Sequence, residues 1–321
     1  MFRPLPCTVH NLIFTKEIGK GGFSTVYLVE NPKTRDQFVA KVIPLTATLD
    51  TSEQYSLIEK LLNIKGLRHP NTVRIHDFFV EDTYILVVLE YCPEGSLSEI
   101  ITPKTPMSRK KFIKMARELI NALYDFHTNS IAHQNIKLEN VLLDKNRHAK
   151  LTDFGISIQN KNGILVESFL RSVEYEAPEV INSQAHDPFK ADVWSLGVLF
   201  ATCLNGFTPW DRCDSVGELP AFVSLGKYHL KKWVPQDLKD IIARMIVVNP
   251  DDRITVKELT ELPIFQEQKP PRPFILGGRL RPSELKEILN REHVKRSSAL
   301  TLFALNYNAR NLQRSRVRSI L

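Results

Sequence analysis

The chain has 321 residues, 43% hydrophobic and 25% charged, which is ordinary for a globular protein and long enough for one two-lobed unit plus a tail. Its formal charge of +7 is unevenly placed: residues 266–321 hold 12 Lys/Arg against 4 Glu, a net of +8, leaving 31 basic and 32 acidic residues before them. That asymmetry excludes a globally basic nucleic-acid-binding domain and points to a basic appendage.

The first residues, MFRPLPCTVHN, have no extended apolar core, so no signal peptide is expected, and residues 1–13 read as an N-terminal extension. From Phe14 to Val42, the alternation at Val26 and Leu28 predicts a strand, a glycine-rich turn and a second strand. A polar turn at Asn31-Pro32-Lys33 then leads to a third strand ending on Lys41. Glycines at 19, 21 and 22 let a bound group approach the backbone amides, although an isolated glycine-rich turn is as readily a plain hairpin turn. No Gly-Lys-Ser/Thr ending follows, which excludes a Walker-type phosphate loop. Helical spacing of Leu57, Ile58, Leu61 and Leu62, with Thr51-Ser52-Glu53 as a start signal, predicts a helix over 51–67. Tyr84 to Tyr91 reads as a buried strand, followed by a turn at Pro93-Glu94-Gly95.

Helical patterns at Leu97–Ile101 and Ser108–His127 then open an α-rich half. It contains His133-Gln134-Asn135-Ile136-Lys137-Leu138-Glu139-Asn140, a strand at Asn140–Asp144, and Asp153-Phe154-Gly155, whose Asp comes 13 residues after Asn140. Further on stand Ala177-Pro178-Glu179, Asp192 to Gly197, and Arg253 in Asn249-Pro-Asp-Asp-Arg253-Ile. The longest apolar run, Val193 to Leu204, is broken by Ser195 and Gly197 and falls short of the roughly 20 residues a bilayer span needs. Cys7, Cys92, Cys203 and Cys213 form no CxxC pair, so neither a zinc site nor a disulfide framework is indicated and a reduced, cytoplasmic setting is expected.

This ordered set over residues 14–265 resembles the eukaryotic protein kinases of Ser/Thr type, closest to the calcium/calmodulin-dependent-like group. The resemblance implies an α+β, bilobal fold, with a β-rich lobe at 14–92 and an α-rich lobe at 93–265. It implies ATP and Mg²⁺ as cofactors, with Ile18, Gly19, Gly21, Val26, Ala40, Lys41, Glu90 and Cys92 at the nucleotide and Asn140 and Asp153 at the metal. Lys137 is the Ser/Thr-type catalytic-loop lysine. In this family the Lys41 position pairs with a helix Glu. Counting forward from Lys41 gives Glu59 here, and counting back from His69-Pro70-Asn71 gives Lys60. Asp192 is implied to brace the catalytic loop, Arg253 to pair with Glu179, and Ser172 to contact the loop.

The departures from the pattern are specific. The family's His-Arg-Asp reads His133-Gln134-Asn135, so the catalytic base position holds an amide that cannot take a proton near neutral pH. Gln134 cannot pair bidentately with an activation-loop phosphate, and Arg171 replaces the usual Gly. The expectation is a nucleotide-binding pseudokinase that regulates or scaffolds a protein partner; the alternative is an active but slow kinase with a protein substrate. Pro270-Pro271-Arg272-Pro273 opens the tail 266–321, in which Ser283–Arg291 reads as a short helix. The run Ala299–Leu305 and the arginines after it are either a solvated stretch or a basic amphipathic element for an acidic partner, a membrane surface or a calmodulin-like protein.

Overall fold

A computed structural model describes residues 4–21, 24–45, 51–153, 173–210 and 217–266. The tail, with the helix expected at Ser283–Arg291 and the basic element after it, lies outside these residues, as do Gly22, Phe154, Gly155, Arg171, Ser172 and Cys213. The described residues divide into a β-rich unit, within 4–68 and 74–91, and an α-rich unit, within 69–73 and 92–266.

Strands β1 (Cys7–Val9), β2 (Leu12–Lys20), β3 (Thr25–Glu30), β4 (Gln37–Pro44), β5 (Ile75–Val80) and β6 (Tyr84–Glu90) form one sheet in the order β1-β2-β3-β4-β6-β5. All neighbouring strands pair antiparallel. One face builds a core from Phe14, Tyr27, Val29, Ala40, Val42, Leu86 and Val88. Val9 and Leu12 belong to that core as well. The stretch before Phe14 is therefore woven into the sheet: Cys7 and Val9 bracket a register with Phe14 and Leu12 that adds an edge strand. Helix α1 (Thr51–Lys65) turns Leu57, Ile58, Leu61, Leu62 and Ile64 inward and is tied to β5 by Lys65, whose ammonium lies 2.7 Å from Asp77.

In the α-rich unit, α2 (Leu97–Ile100) is followed by α3 (Arg109–Thr128), which buries Phe112, Met115, Ala116, Leu119, Ile120, Leu123 and Phe126 along one stripe. A hairpin of β7 (Val141–Leu143) and β8 (Ala149–Leu151) packs on it. The segment 69–73 joins this unit because Asn71 Nδ2 donates to the Ala149 carbonyl at 2.8 Å and Leu151 N to the Asn71 carbonyl at 2.9 Å. Short α4 (Pro178–Ile181) precedes α5 (Pro188–Asn205), which is buried nearly all round and so forms the centre of the unit. Around it come α6 (Leu219–Ser224), α7 (Gln236–Met245) and α8 (Val256–Glu261), and the described chain closes on buried Phe265. Among the described residues, no helix is long and apolar enough to cross a membrane.

Candidate functional site

In the β-rich unit, the strand register lines up the side chains named from sequence. Gly19 pairs with Val26, Val26 with Lys41, and Lys41 with Val87, so these four lie in a row across β2, β3, β4 and β6 on one face of the sheet. Lys41 and Val26 are half-buried, and Ile18 is 43% exposed, a large apolar side chain left in water beside the glycine turn. Ala40 is different. It was expected at the nucleotide, but it pairs with Tyr27 and is fully buried in the core on the opposite face. The period of a strand is two, so Val39 rather than Ala40 shares the face of Lys41.

Glu90 ends β6, its amide donating to the Arg74 carbonyl at 2.9 Å while its own carboxylate accepts from the Arg74 amide at 3.2 Å. On α1 the two candidates for the partner of Lys41 part company. Glu59 is exposed, on the side of the helix away from Leu57, Leu61 and Ile64, whereas Lys60 is half-buried and its pKa is lowered by desolvation.

In the α-rich unit, the loop from His133 to Asn140 alternates. His133, Ile136, Leu138 and Asn140 are buried, while Asn135 and Lys137 are half-exposed and Gln134 and Glu139 exposed. The buried set anchors the loop and turns Asn135 and Lys137 outward. Asp192, 1% exposed on α5, accepts from the amides of His133 and Gln134, each at 2.7 Å, and lies 3.0 Å from His127 Nε2. The loop needs that brace because Gln134 sits at φ +60°, a left-handed conformation that β-carbon residues adopt at a cost. His127 was not singled out from sequence; its only signal was its place in the last turn of α3, six residues before the loop.

Asn135 N donates to His133 Nδ1 at 3.2 Å, and Asn140 Nδ2 donates to the Asn135 carbonyl at 2.8 Å. The second bond fixes the Asn140 amide, committing its nitrogen inward and leaving its oxygen as a hard acceptor. The amide of Thr152 donates to the Asn140 carbonyl at 3.0 Å, which sets Asp153 next to it in the chain at φ +64°. Burial and the Asp192 and Asp153 carboxylates act oppositely on His133, and burial prevails, lowering its pKa.

Two further features complete the frame. Glu179 and Arg253, 6% and 0% exposed, form a two-pronged pair at 2.7 and 3.1 Å, as expected from sequence. Around the short turn Val173–Tyr175, the carboxyls of Glu174 and Glu176 are both raised by burial; Glu139 adds to the first shift and Lys137 opposes the second. Neither Glu drew attention in the sequence, where both sit in an apolar-flanked run before Ala177.

Over residues 12–265 the chain matches the protein kinase domain. The chain belongs to the protein kinase family. Its fold is the α+β, bilobal kinase fold. It is 33% identical over 256 residues to serine/threonine-protein kinase ppk25 of Schizosaccharomyces pombe, covering 79% of this chain and 60% of that one. It is 31% identical over 264 residues to CBL-interacting protein kinase 31 of rice, covering 80% and 58%. Against serine/threonine-protein kinase kin-29 of Caenorhabditis elegans it is 31% identical over 246 residues, covering 77% and 30%. This kinase-family chain therefore spans between about a third and three-fifths of the length of these curated relatives.

Proposed function

We propose that this protein is a pseudokinase: a kinase-fold protein that binds ATP with Mg²⁺ and uses the bound state to regulate or scaffold another protein. The observation that carries the reading is Asn135, an amide in a loop whose framework is otherwise in place. Phosphoryl transfer is mostly positioning and charge stabilisation, and a general base adds roughly 10²- to 10⁴-fold. Losing the base lowers turnover by about that factor without touching the groups that hold nucleotide.

The glycine turn supports nucleotide binding through what the fold does not need. A Cβ on Gly19 would meet Val26 Cβ at 3.6 Å, and one on Gly21 would meet Ser24 Oγ at 3.6 Å, both ordinary contacts. Neither glycine has a positive φ. Glycine inside a strand, as Gly19 is in β2, costs about 0.5–1 kcal/mol relative to alanine, which fits a group approaching from outside. Lys41, in the same row, offers an ammonium to phosphate. Asn140 and Asp153 give an amide oxygen and a carboxylate, the hard donors that Mg²⁺ takes, and the ion would neutralise phosphate charge there. Gln134 and Arg171 put the losses on activation and transfer. The basic residues of 266–321 fit an acidic protein partner or an anionic surface, and a reduced cytoplasmic location suits the scattered cysteines.

A melting titration beside a transfer assay tests this. ATP with Mg²⁺ is expected to raise the melting temperature, and the rise to vanish in Lys41→Ala and shrink in Asp153→Ala. Gly21→Ala is expected to keep the unliganded melting temperature while reducing the nucleotide response. Robust peptide phosphorylation that Lys41→Ala abolishes would sink the pseudokinase reading in favour of an active kinase, which the retained Lys137 would serve. No response to ATP would leave a kinase fold without nucleotide.

A further inference from the structure

On the α-rich unit a cavity of about 460 Å³ opens beside Glu179, lined by Asp187, Lys190, Ser224, Val248 and Asp251 among others. Its lining carries three carboxylates, Glu179, Asp187 and Asp251, against the one ammonium of Lys190, with exposed His186 beside them. Glu179 is held by Arg253, and Lys190 Nζ donates to the Arg253 carbonyl at 2.6 Å. The other two carboxylates are less committed: Asp187 accepts from the Phe189 amide at 2.8 Å to cap α5, and exposed Asp251 has no ion pair among the described residues.

Two large apolar side chains stand in water here, Val248 in the lining at 40% exposure and Leu225, next in the chain to lining residue Ser224, at 62%. The turn after α6 places them together. Gly226 has φ +60°, and a Cβ there would come within 2.7 Å of Val248 Cγ2, so only glycine lets this turn close onto Val248 while Leu225 stays outside. A concave hollow with accessible carboxylates and an exposed valine in its lining has both the polar and the apolar groups to orient a partner's side chain.

We infer that this face docks a partner protein through a short basic segment, with an arginine entering the cavity toward Asp187 and Asp251 and an aliphatic side chain covering Leu225 and Val248. The charge argues for that partner, since the lining's carboxylates outnumber its single lysine and the exposed Asp187 and Asp251 favour a guanidinium, whose apolar stem also suits Val248. The inference does not rest on nucleotide binding.

The test is a fluorescence-anisotropy titration of the full chain with a labelled peptide of about a dozen residues alternating arginine and leucine. Leu225→Glu and Asp251→Lys, both at exposed positions, are each expected to weaken binding about tenfold, with the circular-dichroism melt unchanged as proof of folding. Raised salt is expected to weaken the wild-type complex. Undiminished binding by both variants overturns the proposal, and so does equal binding of a control peptide with glutamate for arginine. A concentration-dependent dimer that Leu225→Glu abolishes would give the face to a second copy instead. Because the fold is read from the melt without ATP, failure of nucleotide binding would leave this outcome legible.

Discussion

Asn135 and aspartate have nearly the same shape, but one oxygen of a proton-accepting carboxylate has become an amide NH₂. The backbone around it is not relaxed to suit the change. Asn135 N still bonds His133, its carbonyl still takes Asn140 Nδ2, and Asp192 still holds the two amides before it. Restoring the carboxylate therefore needs no rebuilding. Asn135→Asp is expected to raise phosphoryl transfer by about 10²- to 10⁴-fold over wild type, read as single-turnover transfer from ATP to a generic serine peptide. No gain would move the block away from the base, to Lys60 on α1 or to Arg171. The Glu179–Arg253 pair belongs to a different class. It is buried with good geometry on both sides, and its function is to hold the start of α4 to the end of the domain rather than to touch a substrate.

Among the elements, the segment at His69–Asn71 joins chemistry to stability. His69 Nδ1 accepts from the Asn71 amide at 3.0 Å, and its Nε2 faces Asp125 at 3.6 Å, so the neutral ring is the form the structure uses. Burial, and then nearby Lys150, push its pKa down to about 4. The folded value lies below the unfolded one near 6.5, so this stabilisation is complete above pH 6.5 and lost as pH falls toward 4. The loss is at most about 3 kcal/mol from this residue. Burial shifts His76 and His133 the same way, so the wild-type slope has several contributors. His69→Gln is expected to flatten the decline in denaturation midpoint between pH 6.5 and 4, and an unchanged slope would count against it. What the sequence disclosed at this scale follows the periods. The helix at Ser108–His127 and the strand at Tyr84–Tyr91 were legible because their apolar spacing is unbroken. β5 was not, since His76 and Asp77 interrupt its alternation, and β1 hid behind Pro4 and Pro6. Ala40 was misplaced because motif order was followed where strand parity decides which side a residue faces. His127 and Asp192 meet across 65 positions, a contact no local pattern encodes.

For the whole molecule the question is where the kinase domain stops and what the rest adds. The family match ends at residue 265, and the last turn there, Pro263–Phe265, brings Phe265 to 3% exposure against the α-rich unit. Truncation on either side of that phenylalanine should therefore behave differently. A chain of residues 1–266 keeps Phe265 and is expected to melt within a few degrees of full length, while 1–262 loses a buried phenylalanine and is expected to be weakened by about 3–5 kcal/mol. The same cut separates the basic charge from the kinase domain, because residues 1–265 carry a net of −1 and the remainder +8. The 1–266 protein is expected to retain the ATP-dependent melting shift while losing salt-sensitive sedimentation with phosphatidylserine vesicles. If the shift disappeared with the tail, the nucleotide response would depend on residues beyond the kinase domain. If vesicle binding survived the cut, attraction to anionic surfaces would belong to the neutral domain and the charge asymmetry would not explain it.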